Sequence, residues 1–225
     1  MTRILYLHGF ASGPSSSKAG FFRQILEHAG ATVLVPDLAQ GDFEHLTITG
    51  QLAVIDQIVG GAPAGLMGSS MGGYLAALYA ARNAAITRLV LLAPAFGFAR
   101  RWPEWLGAEA IEAWRRNGWM EVFDYGGNRQ RRLSYALLED AARYEDYPDF
   151  SQPALIFHGL HDDVVPVDCS RQFAARHRNA RLEIMDSGHE LLNVLEQIGP
   201  PVSRFLLPPS PTRAESAASS PRLED

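Results

Sequence analysis

The chain has 225 residues, of which 47% are hydrophobic and 20% are charged, and its formal net charge is -5. This length suits a single α/β or all-β domain, which buries enough surface to fold without disulfides or a structural metal. The negative net charge offers polyanions no general attraction, so we do not expect nucleic acid as a partner. The composition therefore predicts one globular domain outside the nucleic-acid-binding class.

The N-terminus and the cysteine content bear on localisation. The apolar run 4–7 ends at His8, which makes it shorter than the core of a signal peptide, and no apolar stretch of membrane-spanning length follows it. Cys169 is the only cysteine, so the chain cannot form an internal disulfide, as is usual in reducing compartments. We therefore expect a cytoplasmic protein without a transmembrane segment, and the sequence leaves its oligomeric state open.

Short apolar runs alternate along the chain with longer segments of helical periodicity. The runs that predict strands span residues 3–7, 32–35, 65–67, 89–92, 154–157 and 182–185. The segments that predict helices span residues 17–28, 46–59, 71–82, 168–177 and 190–205. This alternation is typical of a doubly wound α/β fold, in which helices cover both faces of a mostly parallel six-stranded sheet.

One connection, of about 50 residues between the fourth and fifth predicted strands, is far longer than an ordinary crossover. This insertion, at about 97–150, contains helical patterns at 103–116 and 133–145 on either side of a predicted turn, Gly126-Gly127-Asn128. It also holds all the tryptophans of the chain. We expect a helical lid whose tryptophans line a substrate pocket, namely Trp102, Trp105, Trp114 and Trp119. The alternative is a structural subdomain whose aromatic residues fill only its own core.

Composition also predicts the structural state of two further segments. The arginine-rich segment 129–132 is interpreted as a solvated turn, since acidic residues elsewhere in the insertion balance its charge. The C-terminal segment 208–225 contains four prolines, four serines and one leucine, which is too little apolar surface to offset the entropy of ordering. We expect this segment to be a disordered tail.

The sharpest local motif is Gly68-Ser69-Ser70-Met71-Gly72, a G-x-S-x-G pattern between a predicted strand and a predicted helix. The pattern alone often occurs by chance, but this position is the one that the nucleophile turn of a hydrolase requires. A serine in such a tight turn has strained backbone, and the glycines remove side chains that would collide there. Ser70 is therefore the candidate nucleophile.

A serine nucleophile needs a base that takes its proton and a carboxylate that orients the base. Asp162 and Asp163 follow the fifth predicted strand, and His189 follows the sixth, so these groups lie where open α/β sheets build their sites. The spacing favours Asp162 over Asp163, for which a capping or solvent-facing position is expected. Ser70, Asp162 and His189 thus form the predicted catalytic triad, which needs no cofactor.

The second donor to an oxyanion is expected from the loop after the first strand. The backbone amides of Phe10 and Met71 are the predicted oxyanion hole, and His8 is interpreted as a residue that braces this loop. His158 is interpreted in the same way for the loop that carries the acid.

Other reactive side chains receive structural interpretations. Although His158 and His161 lie beside two aspartates, no third cluster with metal-ligand spacing is present, so we expect no metal. Cys169 lies in a predicted helix without a basic neighbour, which indicates a half-buried structural side chain.

These motifs together resemble the α/β-hydrolase superfamily, and in particular the small bacterial esterases of the YqiA/YcfP-like group. The segment 5–14, with Ser17-Lys18-Ala19 after it, is similar to that group's first strand, oxyanion loop and first helix, and 68–74 is similar to its nucleophile turn. The C-terminal half, with its aromatic insertion and the segment 158–166, is more similar to mammalian acyl-glucuronide esterases and palmitoyl-protein thioesterases. The resemblance covers residues 3–206.

The resemblance implies a minimal α/β-hydrolase domain over residues 1–207 that cleaves carboxylic esters of small acyl substrates. Ser70, Asp162 and His189 would act through an acyl-enzyme intermediate. One alternative keeps this machinery but cleaves acyl thioesters, either long-chain or attached to protein cysteines. An alternative of another class is a hydrolase-like protein that binds small molecules without turnover, against which the intact triad argues.

Overall fold

The computed structural model describes residues 1–207, and the predicted disordered tail, 208–225, lies outside the described residues. In chain order the elements are β1 (Arg3–Leu7), α1 (Ser17–His28), β2 (Thr32–Leu34), α2 (Ile48–Val59), β3 (Ala64–Ser69), α3 (Met71–Arg82), β4 (Ile86–Leu92), α4 (Phe98–Leu106), α5 (Ala108–Asn117), β5 (Trp119–Asp124), β6 (Arg129–Ser134), α6 (Ala136–Ala141), β7 (Ala154–Gly159), α7 (Val167–Arg176), β8 (Ala180–Met185) and α8 (Leu195–Leu206). Among residues 1–207, no helix combines the length and the apolar character needed to cross a bilayer.

Six strands form one parallel sheet in the order β2-β1-β3-β4-β7-β8. Side chains of β1 alternate between the two faces: Leu5 and Leu7 join the core beneath α2, α3 and α7, whereas Ile4 and Tyr6 join the core beneath α1 and α8. Helices therefore cover both faces. The predicted doubly wound α/β class and the six-stranded parallel sheet are confirmed.

Two predicted helices begin later than their periodicity suggested. α2 begins at Ile48 because the Thr47 side chain caps it by accepting a hydrogen bond from the Gly50 amide. α8 begins at Leu195 rather than at 190 because Leu191 has φ 56°, a left-handed conformation that a helix cannot contain. In both cases the apolar pattern starts before the residue at which the backbone becomes helical.

The insertion contains a β-hairpin that the sequence interpretation missed. Strands β5 and β6 pair antiparallel, and the predicted turn Gly126-Gly127-Asn128 lies at their tip rather than between two helices. The pattern at 103–116 is two helices, α4 and α5, because Gly107 at φ 83° separates them. The segment 133–145 contributes only the short helix α6. The expectation of a purely helical insertion is therefore wrong.

The arginine-rich segment 129–132 lies in β6 and is not a solvated turn. The Arg132 guanidinium lies over the Trp119 ring at 4.1 Å, and the Arg131 guanidinium lies over the Phe43 ring at 4.9 Å. Cation–π contacts of this kind favour arginine on a strand that flanks aromatic residues. The Arg131 contact thus attaches the hairpin to the loop before α2, whereas the Arg132 contact joins the two strands of the hairpin.

The hairpin tip fixes the loop that follows β1. The amides of Tyr125 and Gly126 donate hydrogen bonds to the Ala11 carbonyl, at 2.8 and 3.4 Å. At the base of the hairpin, the Ser134 amide donates to the Glu44 carbonyl at 2.7 Å. The insertion therefore supports the segment that carries Phe10.

Two glycines allow β1, β3 and α3 to meet without side chains between them. A Cβ atom on Gly72 would overlap the Leu7 carbonyl, and one on Gly68 would overlap the Gly72 carbonyl. These obstacles are backbone atoms, which cannot rotate away as a flexible side chain would. The sequence interpretation, in which the glycines of the motif prevent collisions, agrees with this packing.

We expect Gly72→Ala to lower the free energy of unfolding by about 2 kcal/mol or more, because the new methyl group forces two backbone segments apart. Gly20→Ala is the matched control, since Gly20 is exposed in α1 and a Cβ there meets nothing within 4 Å. That substitution should raise stability by about 0.5–1 kcal/mol. Urea unfolding measures both values, and a Gly72→Ala protein as stable as the wild type would contradict the packing argument.

Candidate active site

Ser70 occupies the turn between β3 and α3 in a strained conformation, with φ 54° and ψ -118°. Its amide donates to the Leu92 carbonyl at 2.8 Å, and its own carbonyl accepts from the amides of Gly73, Tyr74 and Ala95. A non-glycine residue in such a conformation costs about 1–3 kcal/mol, so the surrounding structure must hold it in place. These hydrogen bonds show how the turn is held.

Three side chains from three separate loops form one hydrogen-bonded chain. The Ser70 Oγ atom lies 3.0 Å from His189 Nε2, and His189 Nδ1 lies 2.7 Å from Asp162 Oδ2. Since a carboxylate can only accept, the proton of the imidazole lies on Nδ1 and Nε2 is free to accept the serine proton. The structure thus brings together the three residues expected from the sequence, whereas Asp163 is exposed and outside this chain.

The Asp162 carboxylate is buried, and its oxygens are saturated with donors. Oδ1 accepts from the amides of Val164 and Val165 at 2.9 and 2.7 Å, while Oδ2 lies 3.1 Å from His158 Nε2 and also accepts from His189. Burial alone would raise the pKa of this carboxyl, but the hydrogen bonds from His158 and His189 outweigh burial. Its pKa therefore lies well below the ordinary value, and the group is a carboxylate.

His158 braces this arrangement, as the sequence suggested. Its side chain is fully buried, its Nδ1 lies 2.7 Å from the Ser170 hydroxyl, and its Nε2 lies 2.8 Å from the Val165 carbonyl. Because a carbonyl only accepts, Nε2 carries a proton that it directs at both Val165 and Asp162. His158 is separated from the serine by Asp162 and His189, so it positions the acid without reaching a substrate at Ser70.

A glycine lets the loops that carry the acid and the histidine approach each other. A Cβ atom on Gly159, the last residue of β7, would overlap the Gly188 carbonyl. The Leu160 amide donates to the Met185 carbonyl at 2.8 Å, which continues the β7–β8 pairing into the loops. The sequence interpretation did not identify this close approach, because a lone glycine at a strand end has several possible causes.

An ion pair ties α1 to the segment after the histidine. Lys18 Nζ lies 3.2 Å from the Glu190 carboxylate, and the lysine side chain is only 10% exposed. Burial lowers the pKa of Lys18, and the attraction of Glu190 only partly opposes this effect. Lys18 is the only lysine in the chain, a sequence signal that could have indicated its special position.

The loop after β1 brings Phe10 to the cavity that contains Ser70. His8 holds this loop, since its Nδ1 donates to the Gly9 carbonyl at 3.0 Å and its Nε2 accepts from the Leu38 amide at 3.3 Å. Phe10 and Met71 line the same cavity as Ser70. The two residues of the predicted oxyanion hole therefore border the cavity that contains Ser70.

The cavity at Ser70 has a volume of about 120 Å³ and is mainly apolar. Trp102 and Trp105 from α4 line it together with Phe10 and Met71. Trp102 is buried and packs edge-on against Phe10 at 5.6 Å, whereas Trp105 is 66% exposed and lies at the rim. These two tryptophans have the position expected for pocket residues.

The other two tryptophans lie away from this cavity, contrary to the expectation for all four. The Trp114 indole is buried and donates to the Leu133 carbonyl at 3.0 Å, so it fills the core between α5 and the hairpin. Trp119 is exposed on β5, and the Arg132 guanidinium lies over its ring. Both rings contact residues of β6, namely Leu133 and Arg132. Because the sequence did not predict this strand, it could not predict the role of the two rings.

Three polar side chains complete the surroundings. Arg101 lines the cavity and was not singled out from the sequence, because only one of the 20 basic residues is a lysine and a single arginine carries no signal. Cys169 is buried and its Sγ atom lies 3.8 Å from an Arg101 nitrogen, so the expectation that it has no basic neighbour is wrong. His161 is exposed and pairs with Asp186 at 3.0 Å.

Because the pKa of Asp162 is lowered on folding, ionisation of this group stabilises the fold above its ordinary pKa near 3.8, and this contribution is lost as the pH falls toward the lowered value. We expect the stability advantage of the wild type over Asp162→Asn to shrink by about 1 kcal/mol between about pH 5.5 and about pH 3. Urea unfolding at both pH values measures it. Exposed Asp163→Asn is the control, and equal behaviour of the two variants would contradict the assignment.

Comparisons with known proteins agree with this fold. Mouse alpha/beta hydrolase domain-containing protein 10 superposes with a TM-score of 0.76 and 19% identity, over 91% of this chain and 89% of that one. Est1E from Butyrivibrio proteoclasticus, solved with ferulic acid, gives 0.78 and 24%, over 92% and 88%. Monoacylglycerol lipase from Paleococcus ferrophilus gives 0.69 and 19%, over 91% and 93%.

At these identities the likeness to solved structures shows the α/β-hydrolase fold alone. The family is shown separately by the sequence, which matches the uncharacterised protein family UPF0227 over residues 3–206. The chain therefore belongs to the UPF0227 family and has the α/β-hydrolase fold.

Proposed function

We propose that the protein hydrolyses carboxylic esters of small acyl groups, with Ser70 as nucleophile, His189 as general base and acid, and Asp162 as the residue that orients His189. The observation that carries this proposal is the hydrogen-bonded chain from Ser70 Oγ through both nitrogens of His189 to the Asp162 carboxylate, at 3.0 and 2.7 Å. A serine hydroxyl becomes an effective nucleophile only with such a base.

The proposed reaction has two halves. Ser70 Oγ attacks the ester carbonyl while His189 Nε2 takes its proton, and the amides of Phe10 and Met71 stabilise the oxyanion. His189 then gives this proton to the departing alcohol, which leaves an acyl group on Ser70. Water, deprotonated by His189, attacks the acyl-enzyme and releases the acid. Asp162 stays ionised throughout and stabilises the imidazolium cation.

The size of the cavity supports a small acyl group. A cavity of about 150 Å³ accommodates one benzene molecule in other proteins. The space at Ser70 is about 120 Å³, so a short aliphatic acyl group fits within it and a long chain would extend past Trp105 at the rim. The long-chain thioesterase alternative, which needs an extended apolar groove, receives less support.

Neighbouring structures add support at the level of the reaction class. One is Est1E with ferulic acid bound, and another is named a monoacylglycerol lipase. A protein that only binds small molecules would not need a base hydrogen-bonded to Ser70. We therefore prefer hydrolysis to binding without turnover.

Within this proposal, the insertion acts as a lid only through α4. Trp102 and Trp105 wall the acyl pocket, while α5 and the hairpin support α4 and the loop after β1. The support is visible at Trp114, which packs against Trp102 with ring centroids 5.2 Å apart.

Ser70→Ala should lower kcat/KM for p-nitrophenyl butyrate by about 10³-fold or more, because the residual rate comes from the oxyanion hole and binding alone. Thermal midpoints should show that the variant stays folded. Ser151→Ala, at an exposed serine in the loop before β7, serves as the control and should keep wild-type rates. Turnover within about tenfold of the wild type in folded Ser70→Ala protein would refute the mechanism.

Trp105→Ala should shift the preference toward longer acyl chains, because it removes the wall at the open end of the pocket. We expect the ratio of kcat/KM for decanoate over butyrate esters to rise about fivefold, which corresponds to about 1 kcal/mol. Trp119→Ala removes a partly exposed tryptophan outside the cavity and should leave the ratio unchanged. An equal ratio in the two variants would show that Trp105 does not bound the pocket.

A further inference from the structure

Among residues 1–207, a single cationic side chain lines the mainly apolar cavity at Ser70. The side chains that surround the cavity include Phe10, Phe98, Trp102 and Val165, and the cation among them is Arg101, on α4. Apolar walls lower the local dielectric constant, so a charge at this position acts on a bound group more strongly than one in bulk water. This position indicates that the charge of Arg101 interacts with a ligand in the cavity.

The contacts of Arg101 leave much of its guanidinium group unused. Nη2 donates to the Val164 carbonyl at 2.8 Å, and Nη1 makes a weak contact with Cys169 Sγ at 3.8 Å. None of the carboxylates in residues 1–207 lies within 4.0 Å of Arg101. A guanidinium has five N–H donors in a planar fork that suits a carboxylate, so donors remain for a ligand.

The preceding residue shows what an arginine of this helix does when its role is structural. Arg100 pairs with Glu104 at 2.8 Å and with Asp146 at 3.2 Å, and it does not line the cavity at Ser70. Acidic side chains are therefore within reach of an arginine on α4. Arg101 differs from its neighbour in having no anion and in facing the cavity that holds Ser70.

We propose that Arg101 binds a carboxylate on the acyl part of the substrate, so that the enzyme prefers half-esters of short dicarboxylic acids. This inference rests on the proposed esterase function, because it takes the cavity at Ser70 as the acyl pocket. The small volume of about 120 Å³ places the carboxylate only a few bonds from the reacting carbonyl. A charged, bidentate contact adds specificity that an apolar wall cannot supply.

If Arg101 has only a structural role, its loss should affect the rates of ester hydrolysis in a different way. Its hydrogen bond to the Val164 carbonyl steadies the same residue whose amide donates to Asp162. If Arg101 served only to brace this loop, its loss would slow every ester by the same factor. A carboxylate-binding residue, by contrast, changes the rates of charged and neutral esters by different factors.

The test compares esters that differ only in charge, with acid release followed in a pH-stat. Monoethyl glutarate and ethyl valerate have the same acyl length, and a carboxylate replaces the terminal methyl group. The valerate ester of glycolic acid carries the carboxylate in the alcohol instead. Wild-type protein, Arg101→Gln, Arg101→Lys and the control Arg100→Gln are assayed with all three esters.

We expect the wild type to favour monoethyl glutarate over ethyl valerate by about tenfold or more in kcat/KM, a ratio that falls as salt rises to about 0.5 M. Arg101→Gln should lower this ratio about tenfold, Arg101→Lys should lower it less, and Arg100→Gln should leave it unchanged. Because the ratio compares two substrates of one sample, partial misfolding of a variant does not change it.

Three results would overturn the proposal. A wild-type ratio near one, or an equal loss for both esters in Arg101→Gln, would leave Arg101 as a brace. A preference for the glycolate ester alone would place the anion in the leaving group. In these cases the hydrolysis of ethyl valerate, abolished by Ser70→Ala, still supports the esterase function. If the wild type hydrolyses none of the esters, the esterase function fails and this inference fails with it.

Discussion

The whole site depends on a backbone contact between the end of β1 and the start of α3. Gly72 lies so close to the Leu7 carbonyl that no side chain fits between them, and Gly68 approaches Gly72 in the same way. This contact sets the loop after β1 directly beside the serine turn. As a result Phe10, Met71 and Ser70 border one cavity, although Phe10 follows β1 whereas Ser70 and Met71 follow β3. Any residue with a side chain at Gly72 would separate these groups.

The second constraint is the buried charge of the Asp162 carboxylate. Burying a charge costs free energy unless the protein supplies hydrogen bonds to it. Asp162 meets this requirement with two backbone amides and two imidazole N–H groups, all drawn from its own loop, β7 and the histidine loop. The same contacts fix the ring of His189. Stability and the geometry of the hydrogen-bonded chain therefore have one origin, which is the close approach of the two loops at Gly159.

The sequence predicted those parts of the structure that are encoded locally. Alternating apolar runs and helical periods predicted the sheet, and a glycine-flanked serine between a strand and a helix predicted the turn at Ser70. The chain order of Ser70, Asp162 and His189 was readable because each group follows a strand. Parallel strands bring such positions to one edge of the sheet.

The parts that the sequence could not predict depend on contacts between distant segments. The hairpin β5–β6 has weak alternation, and its arginines are stabilised by aromatic rings such as Phe43 that are far away in the chain. For the same reason, Trp102 and Trp114 could not be told apart by sequence, although one lines the cavity and the other lies in the core. The cavity-facing position of Arg101 is likewise visible only in three dimensions.

The central claim is that Ser70 is an activated nucleophile, and covalent labelling tests it most directly. A fluorophosphonate reacts with a serine hydroxyl only when a neighbouring base activates it. Intact-mass measurement and peptide mapping of the treated protein should show a single adduct per chain, located on the peptide that contains Ser70. A folded protein that stays unlabelled, or that carries the adduct on a different residue, would contradict the account.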